Sequence, residues 1–466
     1  MKRFAALFAC CTLLITTTLS GCSTVRDTLV STDITQTQSI EASSETVSDE
    51  SIKVINVYGA LNEAPELVAK YRELHPDFPY KIQKFVYATA DVDYHYALDT
   101  NLAAGGESIP DIYCIVSSFV PKYTKGSLAG YAATYKELGI DIDNLLKKAD
   151  IAQYVIDMGT NSAGEVVALT YQGTGGAFIY RRSIAKDVWG TDDPEIIKEK
   201  IGPGWDRFIE AADELKAKGY GIVSSSGDLW RMVDNSAEMP WIVDGKLYID
   251  PKREEFLDFA KLLKDKGYTN NTQTWTEKWY NDMKGAGDKE IFGFFGPSWF
   301  LNYVLEDNCG GDKVGEGTYG DWALCEPTLG FFWGGYWLFA NKNSKHKEAI
   351  GDIIEWITLD SSETGLQSYW ADGTFDFHKI PDAVTSGVVM RKSSKKLDII
   401  GYQDMFPVFD KAAKLASGKV ITDYDVFIEI YWLKQVRAYA EGSKSREEAI
   451  ADFKQDVKLN LDIIVE

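Results

Sequence analysis

Histidine is the scarcest chemical resource in this chain. Among 466 residues there are four: His75, His95, His346 and His378. None falls in an HExxH pattern or beside a cysteine pair, so a catalytic zinc has little support and no metal site is expected. Cysteine is almost as rare. Of six, Cys10 and Cys11 fall in an apolar leader, and Cys114 sits in an apolar strand-like run. Cys309 and Cys325 lie near glycine-rich sequence; in an oxidising compartment they can pair, and otherwise they are two free thiols. The sequence has no GxxxxGK[ST], no GxGxxG after a strand and no GxSxG, which removes the simplest phosphate, dinucleotide and serine-hydrolase readings. Asp141-Ile142-Asp143-Asn144 lacks the glycine and the distal glutamate of a calcium loop. No cofactor is implied. Basic charge is short as well: 49 Lys+Arg face 70 Asp+Glu, for a net charge of −21. Such a surface repels phosphate backbones, so nucleic acid is not an expected partner. Carboxylates are too abundant in so acidic a chain for any one pair to mark a glycosidase.

What is present starts at the first residues. Lys2 and Arg3 precede an apolar stretch from Phe4 to Ile15, and Leu19-Ser20-Gly21-Cys22 follows. A basic start, a short apolar run and small residues before a cut make a secretory signal peptide over 1–21. The ending resembles a bacterial lipobox, which implies cleavage before Cys22 and lipidation of its thiol. The apolar run falls short of the roughly 20 residues a spanning helix requires. The membrane is then met through the lipid anchor only, on the outer face of the cell membrane. Residues 23–50 hold twelve Ser or Thr and no aromatic residue. Such a segment buries too little to offset its ordering entropy, so 22–50 is expected as a flexible tether.

Order begins at Ile52. Ile52–Tyr58, Tyr80–Tyr87 and Asp111–Val116 read as strands, and helices opening at Asn62 or Glu63 and near Val92 separate them. This β-α-β-α-β order predicts an α/β fold with an open, mainly parallel sheet flanked by helices. Pro65 falls in a first helical turn, where its missing N–H does no harm. Further strands are expected at Gly176–Tyr180, Ile291–Phe295 and Tyr336–Ala340. The last hundred residues look mainly helical, with Val426, Ile430 and Leu433 on one face.

Aromatic residues are abundant, with 13 Trp. A sugar ring offers an apolar C–H face and a rim of hydroxyls, which Trp and Tyr cover and Asp, Asn, Gln and Ser bind. Trp189, Trp205, Trp356 and Trp432 fall on helical patterns and are expected in the core. Trp230, Trp299, Trp333 and Trp370 lie among turn residues and are candidate ligand contacts.

Several stretches together resemble the extracellular solute-binding proteins, family 1, the capture subunits of carbohydrate ABC importers. They are Tyr58-Gly-Ala-Leu-Asn-Glu63 before a helix ending at His75-Pro76, Ile109-Pro110-Asp111-Ile112-Tyr113, and Gly176–Arg181 followed by Gly204-Trp205-Asp206. Gly293-Phe-Phe-Gly-Pro-Ser-Trp299 and Gly334-Gly335 followed by Asn341-Lys-Asn-Ser344 complete the set. Thr170-Tyr171-Gln172 stands where the family often has proline, and Gly204 stands where it often has threonine. The resemblance implies a two-lobe, periplasmic-binding-protein-like (type II) fold with ligand in the cleft. One lobe is expected at 52–172 with 329–380, and the other at 173–328 with 381–466. It implies capture of a carbohydrate, an oligosaccharide on the number of aromatics, by a monomer that closes on it and docks on permease subunits.

By position, the resemblance puts Asn62, Glu63, Ser117, Ser118, Gln172, Thr174, Trp299, Trp333 and Tyr336 at the ligand. Asp228, Trp230, Trp370 and Asp372 are added by loop position and residue type. Two other functions remain open at this point. One is a surface-anchored glycoside hydrolase, which would share the acidity, the tryptophans and the export. The other is a solute-binding protein for a peptide or polyamine.

Overall fold

The computed structural model describes residues 53–87, 92–106 and 109–465. Cys22, the leader and the tether lie outside the described residues. The strands are β1 (Lys53–Gly59), β2 (Tyr80–Val86), β3 (Ile112–Val116), β4 (Ala168–Leu169), β5 (Ala177–Arg181), β6 (Ile242–Val243), β7 (Lys246–Leu247), β8 (Gly293–Gly296), β9 (Trp322–Cys325) and β10 (Tyr336–Ala340). They form a five-stranded sheet in the order β2-β1-β3-β10-β4, a three-stranded sheet β8-β5-β9 and a small β6-β7 ribbon. Each of the two larger sheets organises one lobe.

In the first lobe β1 lies between β2 and β3 and is buried from Ile55 to Gly59, so its apolar run is continuous and not alternating. The edge strand β2 alternates in exposure, and Lys81 and Lys84 help keep its open side from pairing. Gly59 ends β1 because a Cβ there would stand 2.6 Å from the Leu61 carbonyl and 2.9 Å from the Pro65 ring. The turn delivers the chain into the helix Glu63–Leu74, which buries Ala64, Pro65, Leu67, Val68 and Tyr71. On the far side of the sheet the Pro-Asp motif is structural. Asp111 accepts hydrogen bonds from the Asn56 amide (2.9 Å) and the Ser344 hydroxyl (2.5 Å), tying β1 to the turn after β10.

The expectation of mainly parallel sheets holds only in part. β1 is parallel to β2 and β3, but β10 is antiparallel to both β3 and β4. In the second lobe β5 is antiparallel to both β8 and β9. The reason is the path between lobes. β5 and β10 each enter their sheet directly from the other lobe and so run away from the cleft. β3 and β8 run toward it. Val116 therefore pairs with Tyr336, and Gly296 with Ala177, so strand ends of both lobes meet at the cleft.

Three extended segments cross between the lobes and pair with one another. Gly175 pairs with Phe332 and Gln172 with Val384, both antiparallel. The stretch 170–176 is thus the central hinge strand, flanked by 331–333 and 382–385. It is clasped by bonds from Gly176 N to Phe331 O (2.9 Å), Trp333 N to Thr174 O (3.0 Å) and Gly173 N to Ala383 O (2.9 Å).

Side chains of β5 alternate between two cores. Ala177 and Ile179 join a large cluster that continues through Tyr171 and Phe332 into the first lobe. Phe178 and Tyr180 face a second cluster with Trp230, Trp241 and Trp432. The chain from 381 is not confined to the second lobe. The helix Gly387–Lys392 packs on Ile142–Ala149, and Phe406–Leu415 packs on both Gln153–Gly159 and β5. The helix Asp425–Ala440 belongs to the second cluster, but its buried face is not the expected one. Ile428, Trp432 and Val436 are buried, whereas Ile430 is 46 % exposed. The large indole of Trp432 sets the inward direction.

Cys309 and Cys325 do not pair. Both are free and buried, in different clusters, and the Cys309 thiol donates to the carbonyls of Glu306 and Gly311, each at 3.3 Å. Burial pushes both thiols up from their ordinary range. Adding a reductant should leave the melting temperature unchanged; a fall of several degrees would restore the disulfide. No helix among the described residues is long and apolar enough to cross a membrane.

Candidate cleft site

The polar half of the site is built where the helix Glu63–Leu74 begins. Asn62 caps this helix with its backbone carbonyl, while its exposed side chain donates to Glu66 (2.7 Å). Glu63 turns toward the hinge instead. Its Oε1 accepts from the Tyr171 hydroxyl and from Gln172 Nε2 (2.9 Å). The other end of the Gln172 amide accepts from the Tyr336 amide (3.0 Å). One side chain on the central hinge strand therefore links the first helix to the start of β10. The residue Glu63 is half-buried with its carboxyl enclosed, and that burial pushes its pKa up to about 7, against the lowering pull of Tyr171. A small pocket of about 10 Å³, room for one water, opens beside it between Ala60, Cys114 and Tyr336.

Ser117 ends β3 at the same edge; its amide donates to the Gly335 carbonyl (2.9 Å), and Ser118 beside it is exposed. Gly334 and Gly335 adopt φ of 82° and 96°, the left-handed region that favours glycine. A Cβ on Gly334 would also stand 3.3 Å from the Trp299 indole nitrogen.

The aromatic half faces the hinge from the second lobe. Trp299 lies in the Gly-Pro-Ser-Trp turn after β8 and donates from its indole nitrogen to the Trp333 carbonyl (2.9 Å). The two rings meet at 5.0 Å and 67°. Trp275, a residue the sequence reading passed over, brings a third ring 5.6 Å from Trp333. Its backbone sits at φ 68°, a conformation a bulky residue rarely adopts and one that clusters at functional sites. The polar run Asn270-Asn271-Thr272-Gln273-Thr274 before it gave no helical or strand period from which to place it. Trp275 and Trp333 are partly exposed, whereas Trp299 is buried, with Trp333 and Phe300 against its ring.

Other candidates are structural. Thr174 is fully buried, and its amide and hydroxyl both bond the Tyr154 hydroxyl (2.9 and 3.1 Å), which fixes the hinge strand. Trp230 is core, packed against Phe256 and Trp241. Trp370 is 1 % exposed and stacks on His378 at 3.7 Å. Asp228 is committed to the Ser225 amide and the Trp279 indole, both at 2.8 Å, and burial lifts its pKa to about 7. Asp372 accepts from the Ser393 hydroxyl (2.7 Å) at the end of a helix. For the two tryptophans and two aspartates the turn-like sequence was a helix start or end, where Trp230 and Trp370 pack inward and Asp228 completes a capping box with Ser225. Among the described residues no group of three or more His, Cys, Asp or Glu is placed to hold a metal ion.

Two α/β lobes joined by three crossing strands, with polar and aromatic side chains at the facing edges, define a binding protein that holds a solute between lobes. The chain matches the family model of bacterial extracellular solute-binding proteins over residues 59–363, and it belongs to that family. A lactose-binding protein of Rhizobium radiobacter is 29 % identical over 190 residues, covering 40 % of this chain and 41 % of that relative, so the chain matches only about two fifths of that relative's length. Among solved structures, a family 1 extracellular solute-binding protein superposes with a TM-score of 0.71 at 19 % identity, covering 87 % of this chain and 99 % of that one. The galacto-N-biose/lacto-N-biose I-binding protein of Bifidobacterium longum gives 0.62 at 16 % identity, covering 90 % and 100 %. MalE of Xanthomonas citri gives 0.63 at 16 % identity, covering 87 % and 97 %.

Proposed function

We propose that this protein captures a carbohydrate of two or more rings in its cleft and delivers it, as a monomer, to the permease of an ABC-type importer. The observation that carries the reading is the pairing of chemistries at the hinge. Partly exposed indoles of Trp275 and Trp333 pack against each other beside the crossing strands, and the Glu63–Gln172 polar pair lies where the first lobe meets the central one. Indole faces cover the C–H face of a pyranose, and the carboxyl and amide bind its hydroxyls. Sugar-binding relatives point the same way. Cleft closure, not catalysis, is then the working step, and closure is favoured by whatever contacts the second lobe adds. A lipid on Cys22 and the serine- and threonine-rich stretch behind it would hold the cleft near the permease outside the cytoplasm.

The test is intrinsic tryptophan fluorescence against a panel of mono- and oligosaccharides and peptides. A saturable response to an oligosaccharide supports the reading; a response to a peptide and to no sugar overturns it. Sustained release of new reducing ends would replace capture with glycoside hydrolysis. With a responding sugar in hand, Trp299→Ala should weaken binding by about 1–3 kcal/mol in titration calorimetry, since the truncation also unseats Trp333. Unchanged affinity would remove Trp299 from the site.

A further inference from the structure

We propose that the hinge is linked to protons through two carboxyls, Glu63 and Asp382, so that cleft closure is favoured as the pH falls. The two groups fasten opposite lobes to the crossing strands. Glu63, on the first lobe, holds the central strand through Tyr171 and Gln172. Asp382 lies on the third crossing segment. Its Oδ1 accepts from the Ala383 amide (2.9 Å) and from the hydroxyl of Ser298, at the start of the helix that follows β8 in the second lobe. Asn302, one turn further along that helix, donates to the Pro381 carbonyl (3.1 Å) and holds the same junction. Ala383 in turn accepts from Gly173 on the central strand. Neither carboxyl reaches an arginine or lysine in this arrangement; hydroxyls, an amide side chain and a backbone N–H donate to them, and the Trp370 indole lies beside Asp382.

The groups around them carry no compensating charge. Cys114 on β3, Tyr336 on β10 and Tyr171 on the central strand face Glu63, and Tyr303 lies within electrostatic reach of both carboxyls. His378 meets the Tyr303 hydroxyl (3.1 Å), and burial drives its pKa down to about 3, so it stays neutral. Lysines on neighbouring elements are committed elsewhere, Lys84 to Glu66 and Lys70 to Glu73 and Asp376. Burial raises Asp382, like Glu63, to about 7, and the charge of Glu63 adds to that rise.

The sign follows from solvent access. Both carboxyls are enclosed in the arrangement described, with their bonds to the crossing strands and to Ser298 made; opening that parts those bonds and admits water would return both toward the ordinary range near 4. With this enclosed arrangement assigned to the closed form as part of the proposal, closure binds protons more tightly and gains as pH falls through about 7. The gain stops growing below about 4, where both forms are protonated. From pH 8 to pH 6 the closing equilibrium should rise by about tenfold per carboxyl.

This concerns the hinge and not the identity of the solute, so it is tested on the unliganded full-length chain by small-angle scattering between pH 5 and pH 8.5. The expected result is a radius of gyration that falls as pH drops through about 7. Glu63→Gln and Asp382→Asn should each reduce the response, and the double variant should abolish it. Cooperative melting at each pH checks that the variants fold; should Glu63→Gln fail to fold, Asp382→Asn alone must still weaken the response. A radius independent of pH in the unaltered protein, or an undiminished response in Asp382→Asn, overturns the proposal.

Discussion

Replacing Arg253 by alanine is expected to destabilise the protein by about 3–5 kcal/mol, because it removes the guanidinium that pairs with the buried Asp234 carboxylate. Arg253 is 0 % exposed and its guanidinium lies over the Trp241 ring at 4.3 Å. Its Nε donates to Asp234 (2.7 Å) and its Nη1 to the Met239 carbonyl (2.9 Å). Asp425 is buried within reach of the same guanidinium; burial first, and then the charge of Asp234, raise its pKa. The cluster links the second lobe to the cleft at two points. Asp425 begins the helix that touches the 117–119 turn of the first lobe. Asn235, next to Asp234, accepts from the Phe332 amide in the hinge (3.3 Å). Loss of Arg253 should therefore lower the urea midpoint and loosen closure together. The double replacement Arg253→Met with Asp234→Leu should recover most of the loss, since burial of neither charge is then required. If the double variant is no more stable than the single one, the penalty is packing over Trp241 and not charge.

This cluster also marks the limit of what sequence could show. β1, the helix Glu63–Leu74 and β10 were legible because their apolar periods are local and their ends carry Gly, Pro or Asn. The order of motifs put Gln172 and Thr174 at the crossing and offered Glu63 and Trp299 as cleft residues; the structure sets Glu63 and Gln172 in contact and buries Thr174 in the hinge strand. What sequence could not show was direction. Trp230 and Trp370 stand among turn residues like Trp333 does, yet they open or close helices and point into the core. The antiparallel β5 depends on which lobe the chain arrives from, a property of the whole path. Asp382 and Ser298 meet across 84 positions, and neither has a local pattern that announces the other. Trp275 is aimed by a positive φ that no side-chain preference would predict.

Gly173→Ala tests whether the crossing strands act as one device. Gly173 donates its amide to Ala383, and a methyl group added there would stand 2.5 Å from the Val384 carbonyl oxygen and 2.8 Å from both the Val384 carbonyl carbon and its amide nitrogen. These are backbone atoms of the neighbouring strand, so no side chain can swing aside. The strands 170–176 and 382–385 must separate or the lobes must shift, at an overpacking cost of about 1–3 kcal/mol. The nearby Asp382–Ser298 bond ties that strand to the second lobe, so the displacement should reach the cleft. Binding of a responding sugar should weaken along with the melting temperature. Gly130 is the matched control: it lies in a short 3-10 turn with nothing within 4 Å of an added Cβ, and its φ is not in the left-handed range. Gly130→Ala should change stability by no more than about 0.5 kcal/mol and leave binding intact. If Gly173→Ala melts lower but binds as before, the strand pairing stabilises the fold without setting the cleft. If it behaves like Gly130→Ala, the three segments slide past one another freely, and the close approach of Gly173 to Val384 does not restrain the hinge.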